Sequence, residues 1–117
     1  MFNQKNAAQQ LSFIAQGCEL TGDFQFNGDV LISGKILGDI VTQGNLVIEA
    51  GGEVNGDIQC LELNISGLVK GTVQCQKLLL TSIGTFEGDA YSEKLEVLDG
   101  GQFLGQRHRE NRLVNQC

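Results

Sequence analysis

The chain has 117 residues, with 14 acidic side chains against 8 basic ones and a net charge of −6, a balance that argues against nucleic acid as its main partner. That length is one domain's worth, and no window approaches the 18 or so apolar residues of a membrane-spanning helix. Sixteen glycines and no proline suit a backbone that turns often yet keeps its strand ladders whole, since proline would delete a ladder hydrogen bond.

Residues 1–11 are rich in Gln and Asn and poor in apolar side chains, so they read as a flexible tail. They lack the apolar core of a secretory leader, which sets cytoplasm as the expected compartment. From residue 12 to residue 106 one pattern repeats. A turn glycine recurs as Gly22-Asp23, Gly38-Asp39, Gly56-Asp57, Gly71-Thr72, Gly88-Asp89 and Gly105-Gln106, at spacings of 16, 18, 15, 17 and 17. Two residues before each glycine comes an apolar one: Leu20, Ile36, Val54, Val69, Phe86, Phe103. Two residues after it comes another (Phe24, Ile40, Ile58, Val73, Ala90), until Arg107 breaks the series and marks the end of the stack. An alternating apolar pair follows in each unit, from Val30 and Ile32 to Leu95 and Val97, before glycine returns at 34, 52, 67, 84 and 101.

Each unit thus holds about three short segments of period 2, the signature of an extended strand with one buried face. Helical spacing is not sustained between residues 20 and 105. Strands this short are not stable as hairpins, but stacked as coils they pair in parallel with their copies above and below. The reading is an all-β chain: a parallel β-helix of triangular cross-section and about six coils around an aliphatic core. Glycine permits the positive φ of a corner. The aspartates Asp23, Asp39, Asp57 and Asp89 are expected to bond back to nearby amides and hold the turns. Ser33-Gly34 and Ser66-Gly67 are tight corners, whereas Glu49–Gly52 and Asp99–Gly101 are longer and belong at the surface.

Catalytic chemistry is hard to find. Cys60 and Cys75 each lie four residues after a repeat glycine, so they stack on adjacent coils within disulfide reach, and read as reduced core thiols. There is no CxxC and no metal-ligand spacing. His108, the only histidine, falls between two arginines in a basic tail, 107–117, that either flanks the last coil or meets lipid or a partner. The aspartate column lacks the Gly-Gly-x-Gly-x-Asp nonapeptide of a calcium β-roll. The six-residue beat of Gly22, Gly28 and Gly34 suggests a hexapeptide acyltransferase but does not persist. No P-loop, dinucleotide fingerprint or nucleophile elbow is present. No cofactor and no enzyme activity are expected; an acyltransferase-like solenoid and a non-polymerising adaptor are the competing readings.

The recurring apolar-x-Gly-Asp-apolar unit, as in Ile36-Leu37-Gly38-Asp39-Ile40 and Val54-Asn55-Gly56-Asp57-Ile58, resembles the bactofilins, a family of bacterial cytoskeletal proteins. The resemblance covers roughly residues 12–106, and includes the opening Met1-Phe2 with Lys5. It implies a right-handed β-helix that polymerises end to end, without nucleotide, into non-polar filaments. These lie on the inner face of the cytoplasmic membrane, shape the cell, or position cell-wall enzymes and polar proteins.

Two sets of contact residues follow. A solenoid end exposes a slice of core, and bulky side chains lie there: Leu20, Phe24 and Phe26 in the first coil, Phe103 and Leu104 in the last. They either plug their own ends or form the joint between subunits, and the two roles are compatible. In the N-terminal tail, Met1, Phe2 and Lys5 are the candidate membrane contact. Burying a Phe contributes roughly 2–3 kcal/mol and a Lys beside anionic lipid about 1 kcal/mol, so anchoring would require the avidity of many subunits.

Overall fold

In this computed structural model, which describes residues 11–108, every regular element among those residues is a strand: β1 (Leu11–Ile14), β2 (Glu19–Phe26), β3 (Asp29–Ile32), β4 (Lys35–Thr42), β5 (Asn45–Ile48), β6 (Glu53–Asn55), β7 (Ile58–Gln59), β8 (Glu62–Ile65), β9 (Leu68–Leu80), β10 (Thr85–Val97) and β11 (Gln102–His108). All pairings are parallel and link one coil to the next. The long strands β9 and β10 pass through corners and serve more than one face.

The registers define three faces. On the first, β1, β3, β5, β8 and the ends of β9 and β10 align two inward columns, Ser12-Val30-Leu46-Leu63-Leu78-Leu95 and Ile14-Ile32-Ile48-Ile65-Leu80-Val97. The second face carries Leu20, Ile36, Val54, Val69, Phe86 and Phe103 inward. The third carries Phe24, Ile40, Ile58, Val73, Ala90 and Arg107, beside a column of Phe26, Thr42, Cys60, Cys75 and Ser92. Apolar side chains at the inner positions of the middle coils are buried. Where Phe86 enlarges one corner of a coil, Ala90 and Ser92 shrink the opposite one, so the volume per layer is held near constant, as close packing demands.

The glycine column has a steric cause that spacing alone did not reveal. Gly38, Gly56, Gly71, Gly88 and Gly105 all have positive φ, between 134° and 147°, and each lies on the carbonyl of the glycine one coil earlier. A Cβ at Gly38 would stand 1.7 Å from the Gly22 oxygen, and one at Gly105 1.8 Å from the Gly88 oxygen. The other glycine corner works differently. Gly34, Gly52, Gly67, Gly84 and Gly101 do not need positive φ, but a Cβ there would meet a neighbouring carbonyl at 2.1–2.6 Å.

Three expectations need correction. Asp39 does bond to an amide, but to that of Asp57 in the next coil (3.2 Å) rather than within its own turn, so it ties coils together. The coil domain is wider than 12–106: β1 starts at Leu11, and β11 runs to His108. Arg107 and His108 therefore belong to the last coil, because the ladder with β10 continues through Ala90↔Arg107 and Tyr91↔His108. The remaining tail residues, 1–10 and 109–117, lie outside the described residues. The long corners are more numerous than expected: besides Ala50-Gly51 and Asp99-Gly100, Gln16-Gly17 and Ser82-Ile83 project into solvent.

Gly71→Ala is expected to destabilise the chain by more than about 3 kcal/mol, because strain and an unrelievable backbone clash add. Gly51→Ala, in an open turn with no atom within 4 Å, should cost about 1–2 kcal/mol for the left-handed backbone alone. Urea denaturation of the two variants checks the difference.

Candidate polymerisation interface

Where the ladders stop, a strand edge and a cross-section of core come to the surface. At the N-terminal end, Ile14, Leu20, Phe24 and Phe26 rest on the core with only their inner sides covered. The Phe24 and Phe26 rings lie side by side, centroids 6.5 Å apart and planes 13° apart. At the other end, Leu95 and Phe103 are half-buried against the core and Val97 is 42% exposed. Phe103 covers Phe86 with a centroid distance of 5.1 Å.

Leu20, Phe24, Phe26 and Phe103 are thus gathered into two end slices. Leu104 is not in the slice: it follows the inward Phe103, points outward in register with Glu87, and is 49% exposed at the rim. Register adds Ile14, Leu95 and Val97 to the slices, since they occupy the same columns as Ile32 and Leu78 in the outermost coils.

The two ends differ in polarity. Arg107 takes an inward column position, and its Nη2 donates to the carbonyls of Ser92 (3.2–3.4 Å for the pair) and Glu93. It thereby satisfies edge acceptors and places a charge on one corner of the C-terminal slice. Its neighbour His108 stacks on Tyr91, centroids 4.3 Å apart, and is not a solvated tail residue. The N-terminal slice has no charged side chain at its inner positions; its one polar inward residue is Ser12.

Among the described residues, no three His, Cys, Asp or Glu side chains gather into a group that could hold a metal ion. No helix of the described residues is long and apolar enough to cross a membrane. Met1, Phe2 and Lys5, the candidate membrane contact, lie outside the described residues.

The comparisons agree with this geometry. The model of the bactofilin family, described as polymer-forming cytoskeletal, matches residues 12–108. The chain belongs to the bactofilin family. Bactofilin BacO of Myxococcus xanthus (strain DK1622) is 26% identical over 105 residues, covering 89% of this chain and 83% of the relative. Among solved structures, a cryo-EM reconstruction of Thermus thermophilus bactofilin double helical filaments matches with a TM-score of 0.78 at 28% identity, over 82% of this chain and 96% of that one.

In this bactofilin the two buried thiols are structural. Cys60 and Cys75 are free and buried, while Cys18 is free and exposed on a corner. Hydrogen bonding to Cys75, with burial, pushes the Cys60 thiol well up from its ordinary range, which removes its nucleophilic thiolate. Under native conditions near neutral pH, maleimide is expected to modify Cys18 and spare Cys60 and Cys75 until urea is added. Peptide mapping by mass spectrometry checks the order.

Proposed function

We propose that this bactofilin is a structural scaffold that assembles end to end, without nucleotide, into non-polar filaments. The observation that carries the reading is the pair of open core slices, Ile14-Leu20-Phe24-Phe26 at one end and Leu95-Val97-Phe103 at the other. Such a slice is core cut in half, the composition of an obligate interface. Like ends joined by two-fold axes give isologous contacts at each junction and a filament without direction. Self-association is supported by the family's polymer-forming character and by the filaments of the T. thermophilus relative.

The same reading sets the filament on the inner face of the cytoplasmic membrane, held by Met1, Phe2 and Lys5 of many subunits, where it shapes the cell or positions cell-wall enzymes or polar proteins. Family resemblance and the character of the tail support that part. It assigns the chain no catalytic role. The acyltransferase alternative fares worse because the only histidine is stacked on Tyr91 in the last coil.

Phe103→Arg is expected to leave monomers folded and abolish filaments, since it sets a charge in the slice beside Arg107 and leaves it unpaired in a joint. Negative-stain microscopy without added nucleotide or metal checks this, with circular dichroism for the fold; filaments of normal length from the variant would rule the joint out. Deleting residues 2–8 should release filaments from anionic liposomes in co-sedimentation. Unchanged pelleting with liposomes would remove the tail from the mechanism.

A further inference from the structure

The edge of the prism between the first and second faces is uneven, because its corners differ in length. Five residues separate the inward Ile48 from Val54, and five separate Leu80 from Phe86, but only three separate Ile65 from Val69. The tight corner at Ser66-Gly67 thus lies between two long ones, at 49–52 and 81–84. With coils stacked at about 4.8 Å, the long corners stand about 10 Å apart, which leaves a gap one extended chain wide over the tight corner.

That gap is a cavity of about 400 Å³. Its floor is Ser66-Gly67, its walls are Gly51 and Ile83, and Glu53, Leu68 and Thr85 line the side toward the second face. Ile83 is 65% exposed and Leu68 is half-buried. The amides of Ala50, Gly51, Ser82 and Ile83 donate to no backbone carbonyl among the described residues. The Glu53 carboxylate accepts from Asn55 through Oε2 (3.0 Å), which leaves Oε1 for another donor. The other tight corner, Ser33-Gly34, is covered: Ser33 Oγ donates to the Glu49 carboxylate at 2.5 Å. In the equivalent place above Ser66 stands the shorter Thr81, paired with it through the hydroxyls at 2.9 Å, and the gap stays open.

We infer that residues 109–117 of the same chain dock in this gap, with Leu113 and Val114 against Ile83 and Leu68. The segment is not suited to continue the stack. Arg107 already donates to the carbonyls of Ser92 and Glu93, the edge acceptors that a further coil's amides would need. Leu113 and Val114 are also adjacent, whereas a coil strand needs its inward apolar residues two apart. The chain therefore leaves the stack at the corner between the third and first faces.

Reach then selects the gap. From His108 the surface route rounds that corner, crosses the four-residue first face and descends two coils or so, roughly 20–25 Å in all. Six or seven extended residues cover that distance and bring Leu113-Val114-Asn115 to the gap. Arg109 and Arg112 run past the exposed Glu93 and Glu96, against one opposing charge on that coil, Lys94. Beyond the apolar pair, Asn115 and Gln116 carry amide donors for Glu53 and Thr85. An extended segment lying between two loops with unused amides gains main-chain hydrogen bonds in the manner of strand addition. The docking is within one subunit, leaves both end slices uncovered, and does not depend on the filament reading.

Hydrogen–deuterium exchange is measured on the full chain and on its Leu113→Asp variant, a change that leaves all eleven strands untouched. The expected result is that amides 50–51 and 82–83 exchange at least about tenfold more slowly in the wild type than in the variant. In a second protein, Thr85→Cys and Asn115→Cys are combined with Cys18→Ser and Cys117→Ser, oxidised with copper phenanthroline as an equal mixture of isotope-labelled and unlabelled subunits, and mapped by mass spectrometry. A disulfide between residues 85 and 115 that never joins a labelled to an unlabelled peptide is expected. Fast exchange at 50–51 and 82–83 in the wild type would overturn the inference. Protection that persists in Leu113→Asp, or disulfides that mix the isotopes, would overturn it in favour of a second copy as the occupant. Protection of residues 112–115 that arises only with anionic vesicles would overturn it in favour of lipid.

Discussion

The close approach of one backbone to the next at the glycine corner is the constraint on which the rest of the structure depends. Coils stack at strand spacing only because the Gly22-to-Gly105 column has no side chain to hold them apart. With that distance fixed, the ladder bonds follow, such as Glu49 N–H to Ile32 C=O at 2.8 Å and Ser66 N–H to Ile48 C=O at 2.7 Å. So does the layer-by-layer filling of the core. A coil has no partner for its inner side chains except the coils above and below it, so each layer is stabilised by its neighbours.

That dependence links folding to assembly. A terminal coil is covered on one side only, and the proposed end-to-end joint would convert it into an interior coil. The free energy that would stiffen a subunit's ends is then the same free energy that holds two subunits together. Arg107 modifies this at one end. By occupying two edge carbonyls it stabilises the last coil without a neighbour, which makes the C-terminal slice the more self-sufficient of the two.

Much of this was legible in the sequence because a solenoid writes its geometry in period. The spacing of Gly38, Gly56 and Gly71 gave the coil, and the alternation around Leu46-Ile48 and Leu63-Ile65 gave the buried face. Phe103 and Phe24 could be assigned to ends simply because they lie in the outermost units. What was not legible depended on contacts across coils. Asp39 reaches its partner 18 residues away, which no local turn rule anticipates. Arg107 looked like a break in an apolar column, and only the positions of Ser92 and Glu93 explain how a charge lies there. Leu104 has the size of an end-slice residue, but strand alternation after the inward Phe103 turns it outward.

The corners between the first and second faces differ in length: Ser33-Gly34 and Ser66-Gly67 are tight, while the turns through Gln16-Gly17, Ala50-Gly51, Ser82-Ile83 and Asp99-Gly100 bulge into solvent. A bulge there leaves the ladder registers on both sides unchanged, since strands on either side still pair in step. This edge of the prism is therefore where the chain tolerates added length. A reporter or affinity sequence spliced at Gly51 would emerge away from both end slices and from all three flat faces, and would label the assembly without entering any of its seams.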